Sequence, residues 1–197
     1  LDKHVKNLQS FGQTVVIAFN KFATDTDEEI EVLRKHCEEM GCGFAVNSAF
    51  AEGGNGAIEL ANLVVKTIDE RPSAPLYYAY DDNDSVEEKI EKVAFNLYGA
   101  GSVTLSDSAK AMIEEIKKLG AEKFPICIAK TQYSFSTDAK AYGPTEGFEL
   151  HVRDITLNMG AEMIVVIAGP IMRMPGLPKS PQAERIDVVN GEITGLS

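Results

Sequence analysis

The sequence predicts an α/β fold, a truncated parallel sheet followed by a smaller α/β unit, and three observations carry that reading. Residues 14–19 (TVVIAF) are a β-branched apolar run of strand length, of the kind a parallel strand covered on both faces requires. Apolar residues at helical spacing follow it, and a second short run, 43–46 (GFAV), comes next, so strand and helix alternate in the rhythm of a parallel sheet. That rhythm changes after residues 72–84, which hold two prolines, three tyrosines and an acidic turn. A boundary or crossover is expected there, dividing the chain into 1–74 and 75–197.

Each element has its own justification. Leu1, Val5 and Leu8 share one helical face, so the chain opens in a helix, without Met, and its start reads as a cut. The strand at 14–19 is followed by Thr26 and Glu29, spaced as a capping box before a helix whose Ile30, Leu33, Cys37 and Met40 align, and Gly41 stops it. After the strand at 43–46, Ile58, Ala61, Val65 and Ile68 mark a helix that ends before Pro72. Ser85 and Glu88 form a second capping box for a helix carrying Val86, Ile90, Val93 and Leu97, closed by Gly99. Ser106 caps a helix with Ala109, Met112, Ile113, Ile116 and Leu119, closed by Gly120. Strands are expected at 125–129, 148–152 and 163–168. Asn190-Gly191 suits a two-residue hairpin turn, in which both central residues need positive φ, and the end of the chain reads as natural.

Composition narrows the function classes. Of 197 residues 44% are hydrophobic, enough for a substantial core. The balance of 19 basic against 30 acidic residues, −11 overall, disfavours nucleic acid as a partner, because that binding draws on basic groups that neutralise phosphates. The longest apolar run, 163–169, is too short to cross a bilayer, so no membrane partner is expected and a cytoplasmic location is. Cys37, Cys42 and Cys127 are too irregularly spaced for a disulfide framework or a zinc site, and isolated His4, His36 and His151 suggest neither a metal set nor a catalytic triad.

Ligands of open α/β sheets bind beyond the carboxyl ends of the strands. Here those positions are 20–25 (NKFATD) and 47–52 (NSAFAE), and each brings one aromatic residue, Phe22 or Phe50, to a loop. Two such rings can clamp a flat heterocycle; equally, each can cover the end of a neighbouring helix. Gly53, Gly54 and Gly56 precede a helix and can either present backbone N–H groups to an anion or make a plain tight turn. No GxxxxGK[ST] follows any strand, so there is no P-loop. Lys130, Gln132 and Tyr133, within the segment KTQYS after a strand, can hold a carboxylate or phosphate, or fix a long loop. The Pro/Gly turn at 172–178 (MRMPGLP) can line a cleft or fill core gaps.

The segments NKFATDT, AEGGNGAIELA, AKTQYSFS, FELHVRDI and MPGLPKSPQAERID, in this order, resemble the C-terminal portion of the formate–tetrahydrofolate ligases, over the whole chain. The resemblance implies that 1–74 are the last β-α units of a nucleotide- and folate-binding lobe, with 75–197 a C-terminal α/β domain. It implies an enzyme that uses ATP with Mg²⁺ to join formate to tetrahydrofolate through formyl phosphate, the P-loop lying in a missing N-terminal part. It further implies a homotetramer, with a monovalent cation as a candidate additional ion. Phe22 matches the family phenylalanine on the pterin, and Phe50 stands where the family commonly has tryptophan on the other face. Ala23 replaces a proline common after that phenylalanine. Val46 matches an apolar position near the adenine, and Asn20 falls at the same nucleotide side. No catalytic residue is expected within these 197 residues, which alone should be inactive. A non-catalytic folate-binding or assembly module is the alternative.

Overall fold

The computed structural model describes residues 1–171 and 179–195. The 172–178 turn therefore lies outside the described residues.

The first helix, α1 (Asp2–Ser10), buries Val5 and leads into β1 (Val16–Asn20). The strand starts two residues later than the apolar run, because the Thr14 N–H goes to Ser73 Oγ (3.0 Å) instead of a ladder partner. Then come α2 (Asp27–Glu39), β2 (Gly43–Asn47), the single turn α3 (Ala49–Glu52), a 3-10 turn (Gly53–Ala57) and α4 (Ile58–Glu70). β1 and β2 pair in parallel, Val16 opposite Gly43 through Asn20 opposite Asn47.

Side-chain alternation sorts this two-stranded sheet into two faces. Ile17, Phe19, Phe44 and Val46 join the apolar cluster that holds Val5, Ile30 and Cys37, so α1 and α2 cover that face. Val16 and Gly43 occupy the other, where a Cβ on Gly43 would lie 3.3 Å from the Leu63 methyls of α4. The Ile58, Ala61, Val65 and Ile68 stripe that marks α4 in the sequence is not the face that meets the sheet. Leu60, Leu63 and Thr67 turn inward, and the marked stripe stays exposed.

Residues 71–85 contain no helix or strand and are stitched back to the first half. The Ala74 N–H donates to Gly12 O (2.9 Å) and the Tyr77 N–H to Phe11 O (3.0 Å). The second half comprises α5 (Val86–Val93), a π turn (Ala94–Tyr98), β3 (Ser102–Leu105), α6 (Asp107–Lys118), β4 (Ile126–Ala129), β5 (Glu149–Asn158) and β6 (Met163–Ala168). Its four-stranded sheet runs β3-β5-β6-β4; the outer pairs are parallel and β5–β6 is antiparallel. Ile90, Ile113, Ile116, Leu150 and Ile164 build its core.

Two features of this sheet differ from the sequence reading. β3 is an additional strand, four residues paired in parallel with β5. β5 runs six residues past Val152, because a bulge between Val152 and Asp154 shifts the alternation. Inward positions change from Leu150 and Val152 to Ile155, so a strict period of two ends at the bulge although the strand does not. A hairpin, β7 (Asp187–Val189) and β8 (Glu192–Thr194), turns through Asn190 and Gly191 at φ 52° and 85°.

Candidate functional site

Asn20 and Asn47 are the last residues of the parallel pair and lie side by side. The Asn47 Nδ2 donates to Asn20 Oδ1 (2.8 Å), and the Lys21 N–H donates to Asn47 O (3.0 Å). Two loops leave this junction. In the first, Asp25 Oδ2 accepts the Phe22 N–H (2.8 Å), closing a short turn that holds Phe22 outward, 68% exposed. In the second, the Ala49 N–H donates to Asn47 Oδ1 (3.2 Å), and Phe50 on α3 is fully exposed. Both rings stand mostly in water.

The second loop is fastened from behind by the glycine turn. The Ser48 N–H donates to Gly56 O (3.0 Å), and Gly56 is buried. A Cβ there would meet the Ser48 carbonyl carbon at 2.5 Å, so glycine at 56 permits a close backbone approach. Gly53 carries a positive φ of 60°, and Gly53 and Gly54 face open space.

Val46 is half-buried against the α2-side core, beside Phe19. Phe19 also floors a hollow of about 520 Å³ bounded by Val32, Leu33, Asp25, Glu28 and Glu29. Three carboxylates around it oppose a phosphate electrostatically and suit an uncharged or cationic group.

The Lys130 cluster lies elsewhere, after β4, against a cavity of about 710 Å³ that also touches residues 1–4 and Tyr98. Lys130 Nζ donates to Thr131 O (3.2 Å) and to Ser134 O, and sits 4.8 Å from the Tyr98 ring centre. Burial lowers its pKa and raises that of Tyr98. Within the same loop Ser134 Oγ donates to Ala141 O (2.7 Å). Gln132 and Tyr133 are exposed. The sequence pattern left anion binding and loop fixing open, and these bonds all run within the loop.

One polar residue at the first site was not legible as such. Asn47 appeared in the sequence only as the start of a loop; its reach to both loops depends on the register of the two strands. Among the described residues no group of three or more His, Cys, Asp and Glu could hold a metal ion, and no helix is long and apolar enough to cross a membrane. Cys37, Cys42 and Cys127 are free thiols.

Comparison with known proteins places this sequence in a family. The family model described as formate–tetrahydrofolate ligase matches residues 1–197. Curated proteins of that name are similar along the whole chain, at 65% identity in Phocaeicola vulgatus, 64% in Bacteroides fragilis and 48% in Campylobacter curvus. The chain spans about 36% of the length of these relatives. The 197 residues belong to the formate–tetrahydrofolate ligase family.

Proposed function

We propose that this chain contributes the pterin-binding side of the cleft in an ATP-dependent ligase that joins formate to tetrahydrofolate, giving 10-formyltetrahydrofolate through formyl phosphate. The observation that carries the reading is the pair of exposed rings, Phe22 and Phe50, on loops leaving the adjacent ends of two parallel strands. Exposed phenylalanines gain nothing from the core, whereas a flat π-rich ligand between them buries both faces of its ring system. Family membership supplies a ligand of that shape.

The chemical need is clear. Formate is a weak electrophile, and phosphorylation gives it a leaving group that an amine can displace. Phosphoryl transfer rests on positioning and charge stabilisation, and no P-loop occurs in this sequence. The chain alone is therefore proposed to be inactive, with ATP held mainly by the remainder of the longer polypeptide. Val46 and Asn20 are assigned to the nucleotide side. The Mg²⁺ that accompanies ATP and the candidate monovalent cation have no cluster of acidic, His or Cys ligands among the described residues, so no step is routed through either. The complete enzyme is proposed to be a cytoplasmic homotetramer.

Steady-state kinetics of the complete enzyme test this reading. Phe50→Ala should raise the tetrahydrofolate KM by about two- to tenfold, the scale of one lost stacking partner, with the ATP KM nearly unchanged. Phe50→Trp should leave folate binding equal or tighter. Equal weakening of folate and ATP by Phe50→Ala would remove the pterin assignment.

A further inference from the structure

We infer that Asn47 is the positioning residue that holds the two phenylalanine loops in one arrangement, an inference that rests on the folate reading above. Regular pairing of β1 and β2 ends at Asn20 and Asn47, so beyond them no ladder fixes one loop against the other. Asn47 takes over that task with its side chain. Its carbonyl accepts the Lys21 N–H (3.0 Å) as the last bond of the ladder; beyond it, the Asn47 Nδ2 donates to Asn20 Oδ1 (2.8 Å) and the Asn47 Oδ1 accepts the Ala49 N–H (3.2 Å). Lys21 precedes Phe22 and Ala49 precedes Phe50, so each ring is one residue from an atom that Asn47 holds.

The remaining fastenings act on one loop at a time. Asp25 closes the Phe22 turn on itself, and Gly56 anchors the Phe50 loop to the turn before α4. Among the described hydrogen bonds, those that join the two loops all involve Asn47. An amide suits the place because one end must donate and the other accept. Alanine would keep the carbonyl bond and lose both side-chain bonds. Aspartate would keep an acceptor for the Ala49 N–H, and Asn20 can rotate its amide to donate to it.

The test uses the complete enzyme and compares Asn47→Ala, Asn47→Asp, Asn20→Ala and the Asn20→Ala/Asn47→Ala double variant, with Phe50→Ala as a control. Asn47→Ala should raise the tetrahydrofolate KM by about two- to tenfold with kcat held, the scale of a lost hydrogen bond. Asn47→Asp should restore most of the loss. The double variant should have a tetrahydrofolate KM no worse than Asn47→Ala, because the two asparagines act through one bond. If Phe50→Ala raises the folate KM while Asn47→Ala does not, the positioning role falls and the clamp stands. A fall in kcat with the folate KM unchanged, or failure of Asn47→Asp to restore KM, would also overturn it. If Phe50→Ala has no effect on folate, the failure lies in the folate reading itself.

Discussion

Single residues here do work that their type alone does not disclose, and glycine in the 53–56 turn shows why. The sequence offers three equivalent glycines, yet only Gly56 lies where an added Cβ would collide with backbone, at 2.5 Å from Ser48. Gly56→Ala should therefore lower stability by about 1–3 kcal/mol, because backbone cannot step aside as a side chain can. Gly54→Ala, in open space, should change it by less than about 1 kcal/mol. Thermal unfolding of the two variants separates them; equal effects would mean that the close approach does not constrain the loop. Lys89 makes the same point. It is fully buried, its ammonium donating to Glu122 O (2.7 Å) and Phe124 O (3.2 Å), with its pKa lowered by burial.

At the scale of the element, the helix starts were the most legible feature, because a capping box is a local arrangement of four residues. Thr26 Oγ1 accepts the Glu29 N–H (3.2 Å) while Glu29 Oε2 accepts the Thr26 N–H (2.9 Å). Ser85 and Glu88 repeat the exchange at 3.2 and 2.8 Å. Thr26→Ala and Ser85→Ala should each lower stability by about 1 kcal/mol in denaturant titrations. The bonds to backbone N–H groups hold both carboxyls below their ordinary value of 4.5. A lowered folded-state pKa gives stability that is complete above the unfolded value and lost as pH falls through the folded one. Denaturation midpoints should accordingly drop below about pH 4.5, and Glu29→Gln with Glu88→Gln should flatten that slope. An unchanged slope in the double variant would place the acid sensitivity elsewhere, Asp84 being a candidate because its hydrogen bond from Lys92 also lowers its pKa.

At the scale of the whole molecule, the described residues form two apolar cores, one built from residues between Val5 and Val46 and the other from residues between Val86 and Ala168. The first is the more open. Among the described residues β1 and β2 pair only with each other, which leaves an edge on either side without a strand partner there. α4 is apolar on two flanks; Leu63 meets the sheet while Val65 and Ile68 are 59% and 63% exposed. Apolar residues over so wide an arc suit a helix with a neighbour on each side. The chain of 197 residues should consequently associate as its concentration rises, and Val65→Lys with Ile68→Lys should reduce that association. Sedimentation velocity checks this, and a clean wild-type monomer at high concentration would show that the open edges and flank do not drive assembly.

Local chemistry alone determined the alternation of strands and helices, both capping boxes, the Asn190-Gly191 hairpin and the placement of Phe22 and Phe50 just beyond strand ends. These are patterns within a few residues, set by hydrogen-bonding reach and side-chain period. Tertiary structure decided which stripe of α4 meets the sheet, because a helix apolar on two flanks carries no mark of which is covered. It decided the course of β5 past its bulge, where one residue out of phase breaks the period without ending the strand. It also decided which atoms Lys130 and Asn47 bond, since folding brings those partners within about 3 Å, and the length of a hydrogen bond is not written in sequence spacing.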